Sequence, residues 1–167
     1  MRVAVFGGTG YVGSYIVDEL IAQGHIPRLM VRDGSEHKVQ QLDKCEIIGG
    51  QINDDNAIRS VIMGADAVIY LIAVIREFPR KGITWEELNF KGAKACIDAT
   101  KELGVKRFLL MSANGVKPDG TGYQSTKFLA DEYLKASDLD YTIFRPTSLF
   151  GDPRGSNRPE FCTQILN

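Results

Sequence analysis

The feature that most constrains this chain is a glycine-rich turn near its start, in the stretch MRVAVFGGTGYVGSYIVDEL. An apolar run ends at Phe6, four glycines follow within seven positions, and apolar residues then recur at helical spacing. Glycine costs conformational entropy wherever it lies inside an element, so this turn requires bare backbone. Between a first strand and a first helix, such a turn is typical of a site that holds the pyrophosphate of a dinucleotide.

Three of the four glycines of the turn have predicted roles. Gly7 permits the tight turn, Gly10 lets the backbone approach the phosphates, and Gly13 lets the helix pack closely on the strand. The helix that follows offers unpaired N–H groups and a positive dipole end to the anion. The other residues of the turn that we assign to cofactor binding are Thr9, Tyr11 and Val12.

The rest of the chain alternates between predicted strands and helices. The strands are predicted at 2–6, 27–32, 45–49, 67–73, 107–112 and 141–145. The helices are predicted at 11–23, 39–43, 54–63, 85–103 and 124–136, and the stretch from Gly151 onward as a loop with a helix starting near Glu160. This alternation predicts an α/β fold with a doubly wound parallel sheet, a Rossmann fold of three α/β/α layers. We expect residues 1–167 to form one domain.

Charge and cysteine content exclude several classes of protein. The formal net charge is −1, so no basic surface favours nucleic acid. The longest apolar stretch, 61–75, is too short to span a bilayer and is interrupted by Asp66. The chain begins without a signal peptide, and its three cysteines lie far apart, which predicts reduced thiols, a cytoplasmic location and no metal site.

Three residues are candidates for catalysis. Ser112 ends the fifth predicted strand, while Tyr123 and Lys127 lie one helical turn apart near the start of the next helix. A tyrosine hydroxyl can exchange a proton with a carbonyl oxygen if its pKa falls from about 10, and a neighbouring ammonium group lowers it. Lys127 could also hold the ribose hydroxyls of a nicotinamide cofactor, and Ser112 would orient the substrate oxygen.

The stretch GGTGYVG resembles the cofactor loop of the short-chain dehydrogenase/reductase superfamily, in its extended and atypical branches. The order of glycine loop, serine and Tyr-x-x-x-Lys matches that superfamily. VRD, IREFP, GVKRFLLMSANG and DYTIFRPTSLFG are similar to an atypical subgroup related to NmrA-like proteins and to the nucleotide-binding accessory subunit of respiratory complex I. The resemblance implies NADP(H) binding, and it includes members with no known reaction.

The second strand leads to the residues that distinguish the two nicotinamide cofactors. Relatives that prefer NADP carry an arginine at the position of Arg32, and a guanidinium group can clamp a 2′-phosphate with two hydrogen bonds. Lys38 is a candidate second cation. NADP(H) is therefore favoured, while Asp33 keeps NAD(H) open because an acidic residue after this strand binds the ribose 2′-hydroxyl.

The remaining predicted cofactor contacts follow the later strands. Gln51 and Ile52 replace the Asp-Leu that relatives carry after the third strand, and Gln51 can still accept from the adenine amine. Ile72 and Ala73 replace a polar signature and would lie flat against the cofactor. The backbone around Pro146 and Thr147 resembles the segment that meets the nicotinamide amide.

Three functions are consistent with these residues. The first is an NADP(H)-dependent oxidoreductase acting on a carbonyl or alcohol group of an unidentified small molecule. The second is a non-catalytic module that binds NADP(H) as a sensor or assembly factor, and the third is an NAD-dependent sugar-nucleotide epimerase. The resemblance implies a C-terminal substrate-binding part that is mostly absent from these 167 residues, and a homo-oligomer or a larger complex stays open.

Overall fold

The central sheet is built from short apolar runs, each long enough to cross the core once. A computed structural model describes residues 1–154, and its strands all run parallel in the order β3-β2-β1-β4-β5-β6. The strands are β1 (Arg2–Phe6), β2 (Ile26–Val31), β3 (Glu46–Gly49), β4 (Ala67–Tyr70), β5 (Arg107–Met111) and β6 (Asp140–Phe144). This order is the doubly wound arrangement of a Rossmann fold, so the predicted fold class is confirmed.

Four α-helices cover the two faces of the sheet. They are α1 (Tyr11–Ala22), α2 (Asp55–Ile62), α3 (Gly92–Glu102) and α4 (Gly122–Lys135). Apolar residues of α2, α3 and α4 share one buried cluster with Phe6 and Phe108, whereas Val17 of α1 belongs to a second cluster with Val5 and Leu29. The sheet therefore lies between two helical layers, with α1 on one side and the other three helices on the opposite side.

The strand order reverses direction at β1, which places β2 on one side of it and β4 on the other. Phe6 at the end of β1 is in register with Met30 of β2 and with Tyr70 of β4. The carboxyl ends of these strands therefore meet at one edge, which we call the carboxyl edge. Ligands of open α/β sheets bind at such a switch point.

The predicted helix at 39–43 is wrong. Two 3₁₀ turns, Glu36–Lys38 and Leu42–Lys44, flank Val39, whose backbone is extended and whose side chain is buried in the cluster beneath α1. Neither turn has a side-chain cap, and the Gln41 side chain donates to Asp18 of α1. Tertiary contacts therefore replaced a weak local preference.

Two other predicted elements differ in their extent or type. The fourth strand was predicted to reach residue 73 but ends at Tyr70. The helix predicted at 85–103 begins as a π-helix at Glu86–Lys91 before α3 starts. The Tyr70 hydroxyl donates to the Leu88 carbonyl at 2.6 Å, and that carbonyl would accept from Gly92 in a regular α-helix.

The helix predicted near Glu160 lies outside the described residues. Across residues 1–154, the helices are too short or too polar to cross a membrane.

Candidate functional site

The glycine turn opens at the carboxyl edge, between β1 and α1. Gly7 has a φ of +95°, which side chains rarely adopt, and its carbonyl accepts from the Gly10 amide at 3.0 Å. A Cβ atom on Gly13 would lie 2.1 Å from the Gly7 carbonyl oxygen, so only glycine lets α1 approach the strand this closely. Gly10 is the N-cap of α1 and supplies no side-chain hydrogen bond, which leaves the cap position to backbone and ligand.

Two of the predicted apolar contacts lie along the same edge. A Cβ atom on Gly7 would lie 3.2 Å from the Ile72 backbone nitrogen and Cγ1, so Ile72 borders the glycine turn directly. Ile52 is half-buried and packs against the main cluster, while Gln51 and Ala73 are exposed. The structure therefore places Ile72 at the glycine turn, while the Gln51 and Ala73 side chains are exposed at the surface.

The two residues that would choose between NADP and NAD are neighbours on the surface. Arg32 and Asp33 directly follow β2 and are both exposed. A carboxylate oxygen of Asp33 lies near Gly49, at the end of β3. Lys38 lines a small hollow together with Gly8 and Ser14, which brings it next to the glycine turn.

The end of β6 and the segment that follows it are hydrogen-bonded to the residues that follow β5. The Ser112 amide donates to the Phe144 carbonyl at 2.7 Å, and the Asn114 amide donates to the Pro146 carbonyl at 2.9 Å. Thr147 follows and is exposed. The segment that carries Pro146 and Thr147 therefore runs beside residues 112–114 at the carboxyl edge.

The structure brings Ser112 and Lys127 to the end of β5. Ser112 is only 3% exposed, and its hydroxyl oxygen has no hydrogen-bond partner within residues 1–154. Lys127 is 2% exposed, and its Nζ donates to the carbonyl of Met111, the residue before Ser112, at 2.6 Å. Buried hydroxyl groups in native proteins are nearly always hydrogen-bonded, so the unpartnered Ser112 hydroxyl, one residue after the carbonyl that binds Lys127, marks a candidate functional group.

The pKa values of the Tyr-Lys pair differ from the expectation. Burial lowers the pKa of Lys127 from 10.5 to about 8, against an opposing effect from Asp131. Burial raises the pKa of Tyr123, and no charge offsets this. The lowering of the Tyr123 pKa by Lys127 that the sequence predicts is therefore absent from this structure, in which the ammonium group is bonded to the Met111 carbonyl.

Three contacts fix the start of α4, the helix that carries Tyr123 and Lys127. Thr121 and Gln124 form a reciprocal capping box. The Gln124 side-chain amide also donates to the Gly115 carbonyl at 2.9 Å. A Cβ atom on Gly122 would lie 2.5 Å from the Trp85 ring, so the indole packs against the helix at the residue before Tyr123.

Sequence reasoning missed an ion pair at this site. Asp131, one turn after Lys127, is fully buried and accepts from Arg145 at 2.9 Å. The spacing of Lys127 and Asp131 puts both on one helix face, and this signal could have drawn attention to Asp131. The contact with Arg145, by contrast, depends on how β6 packs beside α4.

Asn89 connects two parts of the site. It is 1% exposed, its side-chain oxygen accepts from the Val74 amide at 3.2 Å, and its side-chain nitrogen donates to Thr126 at 3.4 Å. Asn89 therefore links the segment after β4 to the helix that carries Tyr123.

The segment after β6 returns to α1. The Tyr15 hydroxyl donates to the Asp152 carbonyl at 2.9 Å, and the Arg154 guanidinium stacks on the Tyr15 ring and pairs with Asp18. A Cβ atom on Gly151 would lie 2.6 Å from the Tyr11 hydroxyl. This segment therefore lies against the residue that opens the first helix.

A groove of about 270 Å³ lies elsewhere, between α2 and α3. Its polar lining is largely paired internally, since Arg59 binds Glu102 and Lys94 binds Asp98. No cluster of three or more histidine, cysteine or acidic residues in the described part of the chain is arranged to hold a metal ion.

The fold and the glycine turn define an NAD(P)-binding Rossmann domain. A family of proteins described as NAD(P)H-binding matches residues 7–161, and the chain belongs to this family. A solved structure from Bacillus halodurans, provisionally named an NAD-dependent epimerase/dehydratase, is 31% identical with a TM-score of 0.80. The match covers 91% of this chain and 72% of that one.

Curated relatives agree with this assignment and with the resemblance to atypical short-chain dehydrogenase/reductases. The ceramide reductase of Caulobacter vibrioides is 26% identical, over 89% of this chain and 46% of the relative. The mitochondrial NADH-ubiquinone oxidoreductase 40 kDa subunit of Neurospora crassa is 28% identical, over 88% and 40%. The photosystem II assembly factor Ycf39 of Cyanophora paradoxa is 27% identical, over 90% and 46%. The chain spans less than half the length of these relatives.

Proposed function

We propose that this protein is an NADP(H)-dependent oxidoreductase of the short-chain type, acting on a carbonyl or alcohol group of a small molecule. The observation that carries the proposal is the buried Ser112 hydroxyl group without a partner, next to the residue whose carbonyl binds Lys127. Both lie at the carboxyl edge where the glycine turn opens. We also propose that residues 1–167 act as a single NAD(P)-binding domain.

The glycine turn fits a dinucleotide because its close packing leaves room for no Cβ at Gly13 and its helix lacks a side-chain cap. Gly7, Gly10 and Gly13, with Thr9, Tyr11 and Val12, would hold the pyrophosphate. Ile52, Ile72 and Ala73 would contact the rings, Gln51 the adenine amine, and Pro146 and Thr147 the nicotinamide amide. When bound, the cofactor supplies or accepts a hydride.

The proton chemistry would belong to the protein. Ser112 would donate a hydrogen bond to the substrate oxygen, and Tyr123 would give a proton to it during reduction. The raised pKa of Tyr123 keeps its hydroxyl protonated at neutral pH, which suits a proton donor. Lys127 would hold the ribose hydroxyls and stabilise the phenolate left behind, and with a pKa of about 8 it is mostly charged at pH 7.

The preference for NADP over NAD rests on Arg32. Its guanidinium group is exposed directly after β2, whose carboxyl end lies beside that of β1, and can bind a 2′-phosphate with two hydrogen bonds. This preference also argues against an NAD-dependent epimerase, a class to which the name of the Bacillus halodurans relative points.

A second function, a non-catalytic NADP(H)-binding module, is favoured by one observation. The Lys127 ammonium group is bonded to the Met111 carbonyl, and the pKa of Tyr123 is raised. A resting site of this kind binds a cofactor without activating the tyrosine. Relatives named as a respiratory-complex subunit and as an assembly factor support the same alternative.

Cofactor binding is tested by titrating the purified chain with NADPH and with NADH while nicotinamide fluorescence is followed. We expect NADPH to bind more tightly, and Arg32→Ala to weaken NADPH by about tenfold or more while changing NADH little. Arg80→Ala, which removes another exposed arginine, is the matched control. Equal affinities for both cofactors in the parent protein would overturn the NADP preference.

Catalysis is tested separately, by the oxidation of NADPH in the presence of a panel of aldehydes and ketones. We expect Tyr123→Phe to lower the rate by at least about a hundredfold without loss of NADPH binding. Tyr141→Phe, on the exposed strand β6, is the control. NADPH binding without turnover of any compound would favour the non-catalytic module.

A further inference from the structure

Asp131 is a charged residue at the centre of a helix face that is otherwise closed to solvent. Its side chain is 0% exposed and lies one helical turn after Lys127. One carboxylate oxygen accepts from the Arg145 Nε at 2.9 Å and Nη2 at 2.8 Å. The other oxygen is buried and has no hydrogen-bond partner within the described residues.

Burial of a carboxylate costs free energy unless charges and hydrogen bonds compensate for it. Arg145 compensates only one of the two carboxylate oxygens, since both of its hydrogen bonds end on Oδ2. Lys127, at i−4 on the same face, is the other cation, and it is itself buried with a single hydrogen bond, to Met111. Two incompletely paired buried charges of opposite sign therefore lie one turn apart.

We propose that Asp131 is a positioning residue for Lys127: acting across one helical turn and not through a direct ion pair, it serves as the buried counter-ion that keeps the ammonium group charged while the Met111 carbonyl holds it at the end of β5, and Arg145 anchors Asp131. Asp131 acts through Lys127 and touches neither substrate nor cofactor. The inference rests on the proposed function, because a charged Lys127 matters to the reaction only if that residue acts in it.

The surroundings of Lys127 offer few substitutes for Asp131. At the end of β5, the Met111 carbonyl accepts from it, and on its own helix the nearest titratable group toward the N-terminus is Tyr123. In the π-helix at Glu86–Lys91, which also packs on α4, Glu86 is exposed and Glu87 is paired with Lys91. The described charged groups that α3 directs at α4, Lys94 and Asp98, contact Tyr133 on a different part of the helix.

Electrostatics supports the same assignment. Burial lowers the pKa of Lys127 to about 8, and Asp131 acts in the opposite direction. Without Asp131 the pKa of Lys127 would fall further, so that the side chain would lose its proton within the physiological range. Asp131 thus keeps Lys127 in the form that can bind ribose hydroxyls or a phenolate.

The test measures the ionisation of Lys127 directly, by ¹³C NMR of lysine Cε in the full chain. The Lys127→Met variant identifies the signal as the one it lacks. We expect Asp131→Asn to lower the titration midpoint of Lys127 by about one pH unit or more. Glu132→Gln, which removes an exposed carboxylate from the next position, should leave the midpoint unchanged. Equal midpoints in the Asp131→Asn variant and the parent protein would overturn the proposal.

Two further variants distinguish the loss of the Asp131 charge from a change in helix packing. Arg145→Gln leaves Asp131 buried without its partner, so the carboxylate takes up a proton more readily, and we expect the Lys127 midpoint to fall again. Asp131→Glu keeps the charge and should restore most of the shift. A fall in Asp131→Asn that Asp131→Glu fails to reverse would mean that helix packing, and not charge, was altered, and would refute the counter-ion role.

The readout separates this inference from the proposed function. If NADPH oxidation is found, the pH at which the rate declines should move to lower pH in Asp131→Asn, in parallel with the NMR midpoint. A shifted midpoint in a protein that turns over no carbonyl compound would remove the oxidoreductase proposal and leave the counter-ion assignment intact.

Discussion

At the scale of single residues, the candidate site is dominated by a buried charge. Lys127 is 2% exposed yet carries an ammonium group, whose hydrogen bond to Met111 and attraction to Asp131 compensate only partly for lost hydration. The pKa of Lys127, about 8 against 10.5 for an exposed lysine, shows that the charged form loses more hydration energy than these interactions return. The fold tolerates this cost at the position where the proposed reaction needs a cation.

Replacing this lysine should therefore stabilise the protein in a pH-dependent way. Between pH 8 and 10.5 the unfolded chain binds more protons at this position than the native one, so stability rises with pH there, and the cost is fully present below pH 8. We expect Lys127→Met to raise the free energy of unfolding at pH 7 by about 2 kcal/mol, after loss of one hydrogen bond. The gain should shrink as the pH approaches 10.5.

Urea unfolding of both proteins at several pH values from 6 to about 10 measures this difference. Lys135→Met, which removes an exposed lysine from the same helix, is the control and should show no comparable change with pH. A gain that stays constant across the range would contradict the assignment of the cost to the buried charge.

At the scale of elements, the position of α4 decides whether the candidate residues face the carboxyl edge. The capping box of Thr121 and Gln124 sets the first turn of the helix, and this turn contains Tyr123. We expect Thr121→Ala to lower the free energy of unfolding by about 1 kcal/mol, because an orphan amide loses its acceptor and the reciprocal bond loses its geometry. Thermal unfolding measures this loss. Thr121→Ser keeps the hydroxyl acceptor and should remain close to the parent, so equal destabilisation by both substitutions would argue against capping.

The elements also show what the sequence can and cannot predict. The apolar runs predicted as strands at 2–6 and 107–112 have only one stable place in an α/β fold, a buried parallel strand. The structure forms strands there, at Arg2–Phe6 and Arg107–Met111. The helix at 39–43 was predicted wrongly because Val39 is drawn into the core as extended backbone. The π-helix before α3 depends on the contact of Tyr70 with Leu88, which no local pattern contains.

The candidate site also has features that the sequence predicts and features that it does not. Spacing along the chain was enough to predict that Ser112 and Lys127 lie at the carboxyl edge, and the structure brings Lys127 to the Met111 carbonyl, one residue before Ser112. Spacing could not show which acceptor Lys127 would choose, nor that Arg145 would reach Asp131. Those contacts form between elements far apart in sequence, and they set the pKa values on which the chemistry depends.

At the scale of the whole molecule, the segment after β6 connects the edge of the sheet to its centre. β6 lies three strands from β1, about 14 Å away at normal strand spacing, and the segment crosses this distance to reach α1. Its contacts include the stacking of Arg154 on Tyr15, the ion pair of Arg154 with Asp18, the hydrogen bond from the Tyr15 hydroxyl to the Asp152 carbonyl, and the approach of Gly151 to Tyr11. These contacts place it next to the N-terminus of the helix that would hold the pyrophosphate.

We therefore expect Arg154→Ala to loosen this segment while the sheet stays intact. Three contacts of the guanidinium group with α1 are lost: the stacking on the Tyr15 ring, the ion pair with Asp18 and the hydrogen bond to the Ser14 carbonyl. Hydrogen–deuterium exchange should become several-fold faster in residues 147–153 and stay unchanged in β1 and β4. Arg80→Ala is the control for the loss of an arginine. If the segment exchanges at the parent rate in Arg154→Ala, it is held by Gly151 and Asp152 against α1 and the arginine is dispensable. If it exchanges faster and NADPH binding weakens in parallel, the segment is part of the cofactor site, because it lies against Tyr11 at the mouth of the glycine turn.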